Sequence, residues 1–392
     1  MSHENKYDQT IFADYALEHF LRYAVIGTAS DHCKEETPST KGQWELAKLL
    51  VEEFETLGSI EVELSDHCYV IARLAASGGC EQADTIGFLA HLDTAADVSG
   101  ENVKPLVKEV DGGRIVQSDG STLLGADDKA GIAIIMTVAW YLGVHREIKH
   151  GPLEFIFSPD EETGRGLPCF PLEKIKSKAC YTLDGGPLGE LETECFNAWE
   201  ANAAFKGRVI HLGQARGTLA NAALMASAFA AMLPRADSPE TSDGRYGYYC
   251  LTDIKGDLET AELTVLIRDF DRARGEDRLA GLNAFARAVE AQFPGGTVTV
   301  KSKVQYVNMK EKIDRQPQVR GRLLQAAANL NIAVIEKPIR GGTDGSRLTE
   351  LGIPTPNIWT GGRNFHSREE WLSVNDMAAA CALVMELIGL WV

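Results

Sequence analysis

The chain has 392 residues, with 39 lysines and arginines against 56 aspartates and glutamates, a formal net charge of −17, and 44% hydrophobic and 24% charged residues. That length predicts about two to three domains, and the mixture is that of an ordered globular protein rather than a disordered or fibrous one. So acidic a chain, without a basic stripe, repels phosphate backbones, which excludes nucleic acid and anionic membrane as expected partners.

Residues 11–23 and 42–57 carry helical spacing, and 60–64 and 68–74 read as short strands. An apolar run at 85–92 ends in polar residues and is followed by a helix at 128–142. Strands at 153–157 and 179–183 end in Asp160-Glu161-Glu162 and Asp184-Gly185-Gly186. Strands alternating with helices, each strand ending in acidic or histidine residues, predict an α/β fold with its site at the carboxyl ends of the strands. The middle differs: a strand from about 199, a helix at 219–233, strands at 246–254 and 261–269, a helix at 278–293 and a strand at 297–305. This is an α+β order, and it predicts an inserted lid domain over 199–311 within a catalytic body formed by 1–198 and 312–392. The body resumes with a helix at 319–329 and closes with one at 375–390. The longest apolar run, 131–144, is too short to span a bilayer and reads as a buried helix. The polar opening Met1 to Lys6 has no signal-peptide character, and the eight cysteines are scattered without a C-x-x-C pair. Both lead to the expectation of a reduced, cytoplasmic protein.

His91-Leu92-Asp93 ends an apolar strand. Positions i and i+2 of a strand share a face, so Asp93 can orient the His91 imidazole as a carboxylate orients a metal-bound histidine. Taken alone, H-x-D arises often by chance. Gly125-Ala126-Asp127-Asp128-Lys129-Ala130-Gly131 stands where a loop enters a helix. Capping and the helix dipole account for Asp128 as well as any function does. Asp127, on the preceding loop, can reach two cations roughly 3.5–4 Å apart. In Pro159-Asp160-Glu161-Glu162-Thr163-Gly164, adjacent side chains of an extended backbone point opposite ways. One glutamate can therefore bind metal while its neighbour handles protons, although the stretch alone is equally an acidic surface turn. Asp184-Gly185-Gly186 and Asn364-Phe365-His366 are weak singly. Together, a histidine, a bridging aspartate, a glutamate, a second aspartate and a second histidine offer two cations three protein ligands each and leave positions open for water. The signatures G-x-x-x-x-G-K-[ST], H-E-x-x-H, G-x-S-x-G and G-x-G-x-x-G are all missing. Gly341 to Ser346 reads as a tight turn near the site, since Asp344 would repel a phosphate.

These motifs, with Gly189-Glu190-Leu191-Glu192, Ile267-Arg268-Asp269-Phe270-Asp271 and Pro338-Ile339-Arg340-Gly341-Gly342-Thr343-Asp344-Gly345, resemble the dinuclear zinc exopeptidase family that includes peptidase T, carboxypeptidase G and the aminoacylases. The likeness is strongest to the family's aminotripeptidases and covers nearly the whole chain. It implies an α/β catalytic domain with a central mixed sheet flanked by helices, plus the α+β lid. It further implies that His91 and Asp184 bind one zinc, that Glu162 and His366 bind the other, and that Asp127 bridges them. Cobalt or manganese are alternatives to zinc. Asp93 would orient His91, and Glu161 would take a proton from a metal-bridging water and deliver it to the leaving amine. In the lid, the resemblance makes His211 the oxyanion-stabilising residue and Asn221 and Arg268 substrate-holding ones, with Arg340 a further substrate contact. The implied activity is release of the N-terminal residue of tripeptides, with a short peptide as partner and a homodimer formed through the lid. Two departures bear on substrate length: the family's His-Pro-Gly is His211-Leu212-Gly213 here, and the stretch 102–122 is shorter than in the aminotripeptidases. A carboxypeptidase or N-acyl amino acid deacylase would use the same metal pair. A silent binding protein would show a lost ligand, and a two-metal phosphatase would want basic phosphate-binding residues.

Overall fold

In the computed structural model, which describes residues 7–392, Asp8 caps the first helix by accepting hydrogen bonds from the backbone N–H groups of Thr10 and Ile11. The polar opening Met1 to Lys6 lies outside the described residues. The order is then α1 (Gln9–Ala24), α2 (Lys41–Leu57), β1 (Ile60–Leu64), β2 (Val70–Leu74), β3 (Ile86–His91), β4 (Leu106–Val110), β5 (Gly113–Gln117) and α3 (Ala126–Val144). There follow β6 (Leu153–Ser158), β7 (Ala179–Gly185), β8 (Glu190–Glu192), β9 (Asn197–Lys206), α4 (Ala222–Ala230), β10 (Tyr248–Gly256), β11 (Thr260–Asp269), α5 (Arg272–Gln292) and β12 (Thr297–Tyr306). The chain ends through α6 (Lys310–Asp314), α7 (Pro317–Asn329), β13 (Ile335–Glu336), α8 (Asp344–Glu350), β14 (Asn357–Trp359), β15 (Gly362–Arg363), β16 (Trp371–Ser373) and α9 (Val374–Leu390).

Two compact units result. The first runs up to Thr193 and resumes over Met309–Lys337 and Thr343–Val392; the second is Glu194–Asn308 with Pro338–Gly342. Relative to the division read from the sequence at 198/199 and 311/312, both limits shift by a few residues, and Arg340 passes from the catalytic body to the second unit.

The first unit holds a mixed eight-stranded sheet in the order β1-β2-β6-β3-β7-β14-β8-β13. Strands β6, β3, β7 and β14 run parallel, and β1 and β2 extend the sheet antiparallel beyond β6. Alternation divides each central strand between two cores. Phe88, Phe155, Phe157 and Tyr181 pack with apolar residues of α1, α2, α3, α7 and α9, while Leu89, Ile156 and Cys180 pack with Leu167, Phe170 and Leu348. Burial on both faces is why these strands appear as unbroken apolar runs in the sequence. Helix α3 packs against α1, α9, β3 and β7 and is apolar all round because it is covered all round. Among the described residues no helix is long and apolar enough to cross a membrane.

A smaller sheet, β15-β16-β5-β4, contains a hairpin that periodicity does not reveal. Every residue of β4 is exposed, so it lacks the one-sided apolar alternation that marks a strand. Its turn is visible only as Asp111-Gly112-Gly113, where Gly112 and Gly113 have φ of 101° and 135°. In the second unit, the sheet β10-β11-β9-β12 is antiparallel, with Trp199, Ala201, Ala203 and Phe205 turned toward α4 and α5. Glu200, Asn202 and Ala204 occupy the alternate positions on the other face.

Candidate metal centre

The centre is assembled at the carboxyl ends of parallel strands. Leu89 of β3 pairs with Thr182 of β7, so two residues further along each strand His91 and Asp184 stand side by side. His91 also pairs with Ser158 of β6, whose end leads into the Asp160-Glu161-Glu162 loop. Asp127 enters from the start of α3, where its own backbone and that of Asp128 are non-helical. His366 comes from the loop between β15 and β16.

Asp127 lies between the two imidazoles. Its Oδ1 is 2.9 Å from His91 Nε2, and its Oδ2 is 3.2 Å from His366 Nε2. On one side His91 Nε2 is 3.7 Å from Asp184 Oδ1; on the other His366 Nε2 is 3.0 Å from Glu162 Oε1. Ligand atoms of His91, Asp127 and Glu162 lie within 4.8 Å of one another, as do those of His91, Asp128 and Asp184. Asp93 Oδ1 is 3.3 Å from His91 Nδ1, an ion-pair contact that falls short of a hydrogen bond.

The electrostatics show what this donor set suits. Burial pulls the His91 pKa down, but Asp127, Asp184 and Asp93 outweigh it and hold the imidazole well above its ordinary range. His366, between Asp127 and Glu162, is pushed up to about 11. Burial, reinforced by Asp127, raises Glu162 to about 7 and Asp184 to about 6. Glu161 is raised strongly, first by burial. Asp127 goes the other way: burial alone would raise it, and the two histidines bring it well below the usual carboxylate range. Carboxylates outnumber imidazoles here, and burial of so many negative charges is unfavourable without added cations. Glu162 Oε1 is buried and, beyond its ion-pair contact with His366, makes no hydrogen bond. A mixed nitrogen and carboxylate set around one shared aspartate fits a pair of divalent cations.

A model of Peptidase family M20/M25/M40 matches residues 87–389. The chain belongs to that family. Peptidase T of Geobacillus sp. (strain WCH70) is 43% identical to it over 402 residues, covering 96% of this chain and 98% of that protein. Peptidase T of Clostridium perfringens (strain SM101 / Type A) is 43% identical over 400 residues, covering 95% and 98%. Among solved structures, aminopeptidase PepT from Bacillus cereus has a TM-score of 0.79 at 25% identity, covering 97% of this chain and 98% of that one. A tripeptidase from Staphylococcus aureus has the same TM-score at 21% identity over 97% and 98%, a likeness of fold. The mixed α/β architecture and the hydrolytic exopeptidase class read from the sequence agree with membership of the M20 family.

Within this M20 chain, the backbone of the centre is held by side chains whose roles sequence reading leaves open or misses. Asp93 accepts from Glu161 N at 2.9 Å and Glu162 N at 3.1 Å, a second task beside facing His91. Asp128 does cap its helix, accepting from Gly131 N at 3.2 Å, but its other oxygen takes His91 N at 3.0 Å. Asp160, wholly buried, accepts from Ser39 N at 2.8 Å, Ser39 Oγ at 2.5 Å and Gln43 Nε2 at 2.8 Å, and its own N–H donates to Gln43 Oε1 at 3.0 Å. Ser158 Oγ donates to Asp344 Oδ2 at 2.5 Å, and a Cβ on Gly166 would sit 2.1 Å from Asp344 Oδ1. Asp344 therefore packs beneath the loop that carries Glu161 and Glu162. The stretch around Asp344 is the capped start of α8, with Thr343 accepting from Ser346 N, rather than an isolated tight turn.

His211, Asn221, Arg268 and Arg340 lie in the second unit. His211 is exposed and precedes a single 3-10 turn, Leu212–Gln214. Asn221 is the N-cap of α4, where its Oδ1 accepts from Leu224 N at 3.2 Å, so its Nδ2 is the group left for another contact. Arg268 donates from Nη1 to the carbonyls of Ile267 at 2.9 Å and Trp199 at 3.3 Å and lies over the Tyr306 ring. Arg340 is the most committed: Nη1 donates to Gly244 O and Tyr246 O, Nη2 to Ser242 O and Oγ, and the guanidinium lies over Phe196 and Tyr248. Its donors are largely spent on holding the 242–246 loop.

Proposed function

We propose that this M20 chain is a dinuclear-metal aminopeptidase that releases the N-terminal residue of short peptides, tripeptides above all. The observation that carries the reading is Asp127, one carboxylate set between His91 and His366 with an oxygen toward each. In this reading His91 and Asp184 hold one cation, Glu162 and His366 the other, and Asp127 bridges them. Zinc suits the nitrogen and carboxylate donors, with cobalt or manganese as substitutes. Such a pair, when bound, supplies Lewis acidity toward the scissile carbonyl.

Everything else is done by the chain. Glu161 is the general base. It is half-buried, its proton affinity is raised, and its backbone is fixed by Asp93, so it can take a proton from water and return it to the leaving amine. Asp93 faces the His91 nitrogen that points away from Asp127 and orients the ring. In the second unit, His211 stabilises the oxyanion, Asn221 contributes its free amide and Arg268 its guanidinium to the substrate. Arg340 acts on substrate indirectly, through the loop it holds. The edges β10 and β12 of the second unit's sheet are where a homodimer would form. A cytoplasmic location completes the proposal. The relatives named peptidase T and the aminopeptidase PepT support the aminopeptidase reading.

The test is hydrolysis of matched di-, tri- and tetrapeptides with free and blocked amino ends, beside N-acyl amino acids, after metal reconstitution. Preference for free-amine tripeptides is expected. Faster turnover of amino-blocked peptides or of N-acyl amino acids would replace this reading with that of a carboxypeptidase or deacylase.

A further inference from the structure

The ligand-bearing loops share a device. The His91 N–H is taken by the Asp128 carboxylate, and the N–H groups of Glu161 and Glu162 by Asp93. The N–H of Asp127 is taken from much farther along the chain, by Glu370. This side chain is 2% exposed. Its Oε2 accepts from Leu124 N at 2.7 Å and Gly125 N at 2.8 Å, and its Oε1 accepts from Asp127 N at 3.2 Å.

Those N–H groups have no local acceptor. Gly125, at φ 78°, has no side chain to offer, Asp127 and Asp128 depart from helical backbone, and the Asp128 carboxylate is already taken by Gly131 N and His91 N. Leu124 and Gly125 precede the helix and Asp127 stands in its first turn, where orphan donors are ordinarily met by a nearby Ser, Thr, Asp or Asn. Here they are met by a carboxylate on the same short loop as His366, between β15 and β16. Glu370 thus ties the segment bearing one imidazole to the segment bearing the carboxylate that lies between both imidazoles.

We propose that Glu370 is a positioning residue for the metal centre, setting Asp127 against His366 so that the cation pair is bound tightly. The proposal rests on the reading in which Asp127 bridges two cations. Carboxylates that orient ligand residues typically change metal affinity by about 10–100-fold when removed. Glu370→Gln keeps the side-chain length, leaves a single carbonyl oxygen for three N–H groups, and turns an NH2 donor toward them.

The experiment uses the full chain and zinc as the probe, with dissociation constants from competition against a chromophoric chelator and melting of the chelated protein measured alongside. Zinc binding weaker by about 10–100-fold is expected for Glu370→Gln, with wild-type affinity for the exposed neighbour variant Glu369→Gln. Zinc affinity within twofold of wild type in Glu370→Gln, even with a lower melting temperature, overturns the proposal, since a purely structural role moves only the melt. Glu370→Asp, which keeps both oxygens but shortens their reach, carries the same test if the glutamine variant does not fold; several-fold weaker zinc supports the proposal and unchanged affinity overturns it. Asp127→Asn separates the two readings. If it still binds two zinc ions at wild-type affinity, the bridging assignment fails. If it loses zinc while the Glu370 variants do not, the positioning role alone fails.

Discussion

Replacing Gln43 by leucine tests whether the loop bearing Glu161 and Glu162 is held in place from outside the metal centre. Gln43 is fully buried; its Nε2 donates to Asp160 Oδ1 at 2.8 Å, and its Oε1 accepts the Asp160 N–H at 3.0 Å. Leucine fills a similar volume and does neither. A hydrogen bond to a charged group contributes about 1.5–3 kcal/mol, and a buried N–H left without an acceptor costs about 1–3 kcal/mol. Burying a leucine side chain offsets about 1.5–3 kcal/mol of that. The net loss of folding stability should be about 2 kcal/mol. Ser39 still holds Asp160 through its N–H and hydroxyl, so the loop is displaced rather than released. A displaced general base should lower kcat about tenfold, equivalent to about 1.4 kcal/mol of transition-state stabilisation, with a smaller change in KM. Urea unfolding of the chelated protein and tripeptide kinetics of the metal-loaded protein provide the two readouts. A stability change under about 0.5 kcal/mol would refute the accounting for the buried hydrogen bonds. A clear stability loss with unaltered kcat would refute the positioning of the loop.

Glu161→Gln should retain both cations by elemental analysis while kcat falls by about 10²–10⁴-fold; parental turnover in the variant would remove Glu161 from the general-base role. Chelation should abolish hydrolysis, and zinc, cobalt or manganese should restore it, whereas undiminished turnover by a protein shown to be metal-free would contradict the metal centre. Glu192, which accepts from Asn357 Nδ2, is raised from an ordinary 4.5 to about 8 by burial and then by Asp184. Between those values the folded chain keeps a proton that the unfolded chain has lost, so this group lowers stability as pH rises from about 4.5 to 8, by up to about 1.4 kcal/mol per pH unit. Glu192→Gln cannot ionise and should flatten the melting-temperature profile over that window; an unchanged slope would rule out a buried, protonated Glu192.

Much of this architecture is legible from local pattern. The central strands announce themselves as apolar runs because they are covered on both faces; β3 and β7 end in residues that meet at the centre, and β6 leads into the loop that carries the others. Helix α3 is recognisable by its length of apolar residues, and the second unit by its α+β order of strands and helices. The exposed β4 hairpin escapes because β4 buries neither face and its apolar residues do not alternate.

By itself, the sequence determined which side chains could ligate, since histidines and carboxylates at strand ends and a helix entrance are chemically distinctive wherever they stand. Tertiary structure alone decided what holds them: Glu370 beneath Asp127, Gln43 and Ser39 around Asp160, and Asp128 on the His91 N–H. It also decided that Arg340 belongs to the second unit, with its guanidinium spent on carbonyls of the 242–246 loop. The physical reason is that these partners are mostly backbone groups. Every residue but proline carries an N–H and every residue a carbonyl, so a distant carboxylate or guanidinium finds its partner only when the folded chain brings the two within about 3 Å.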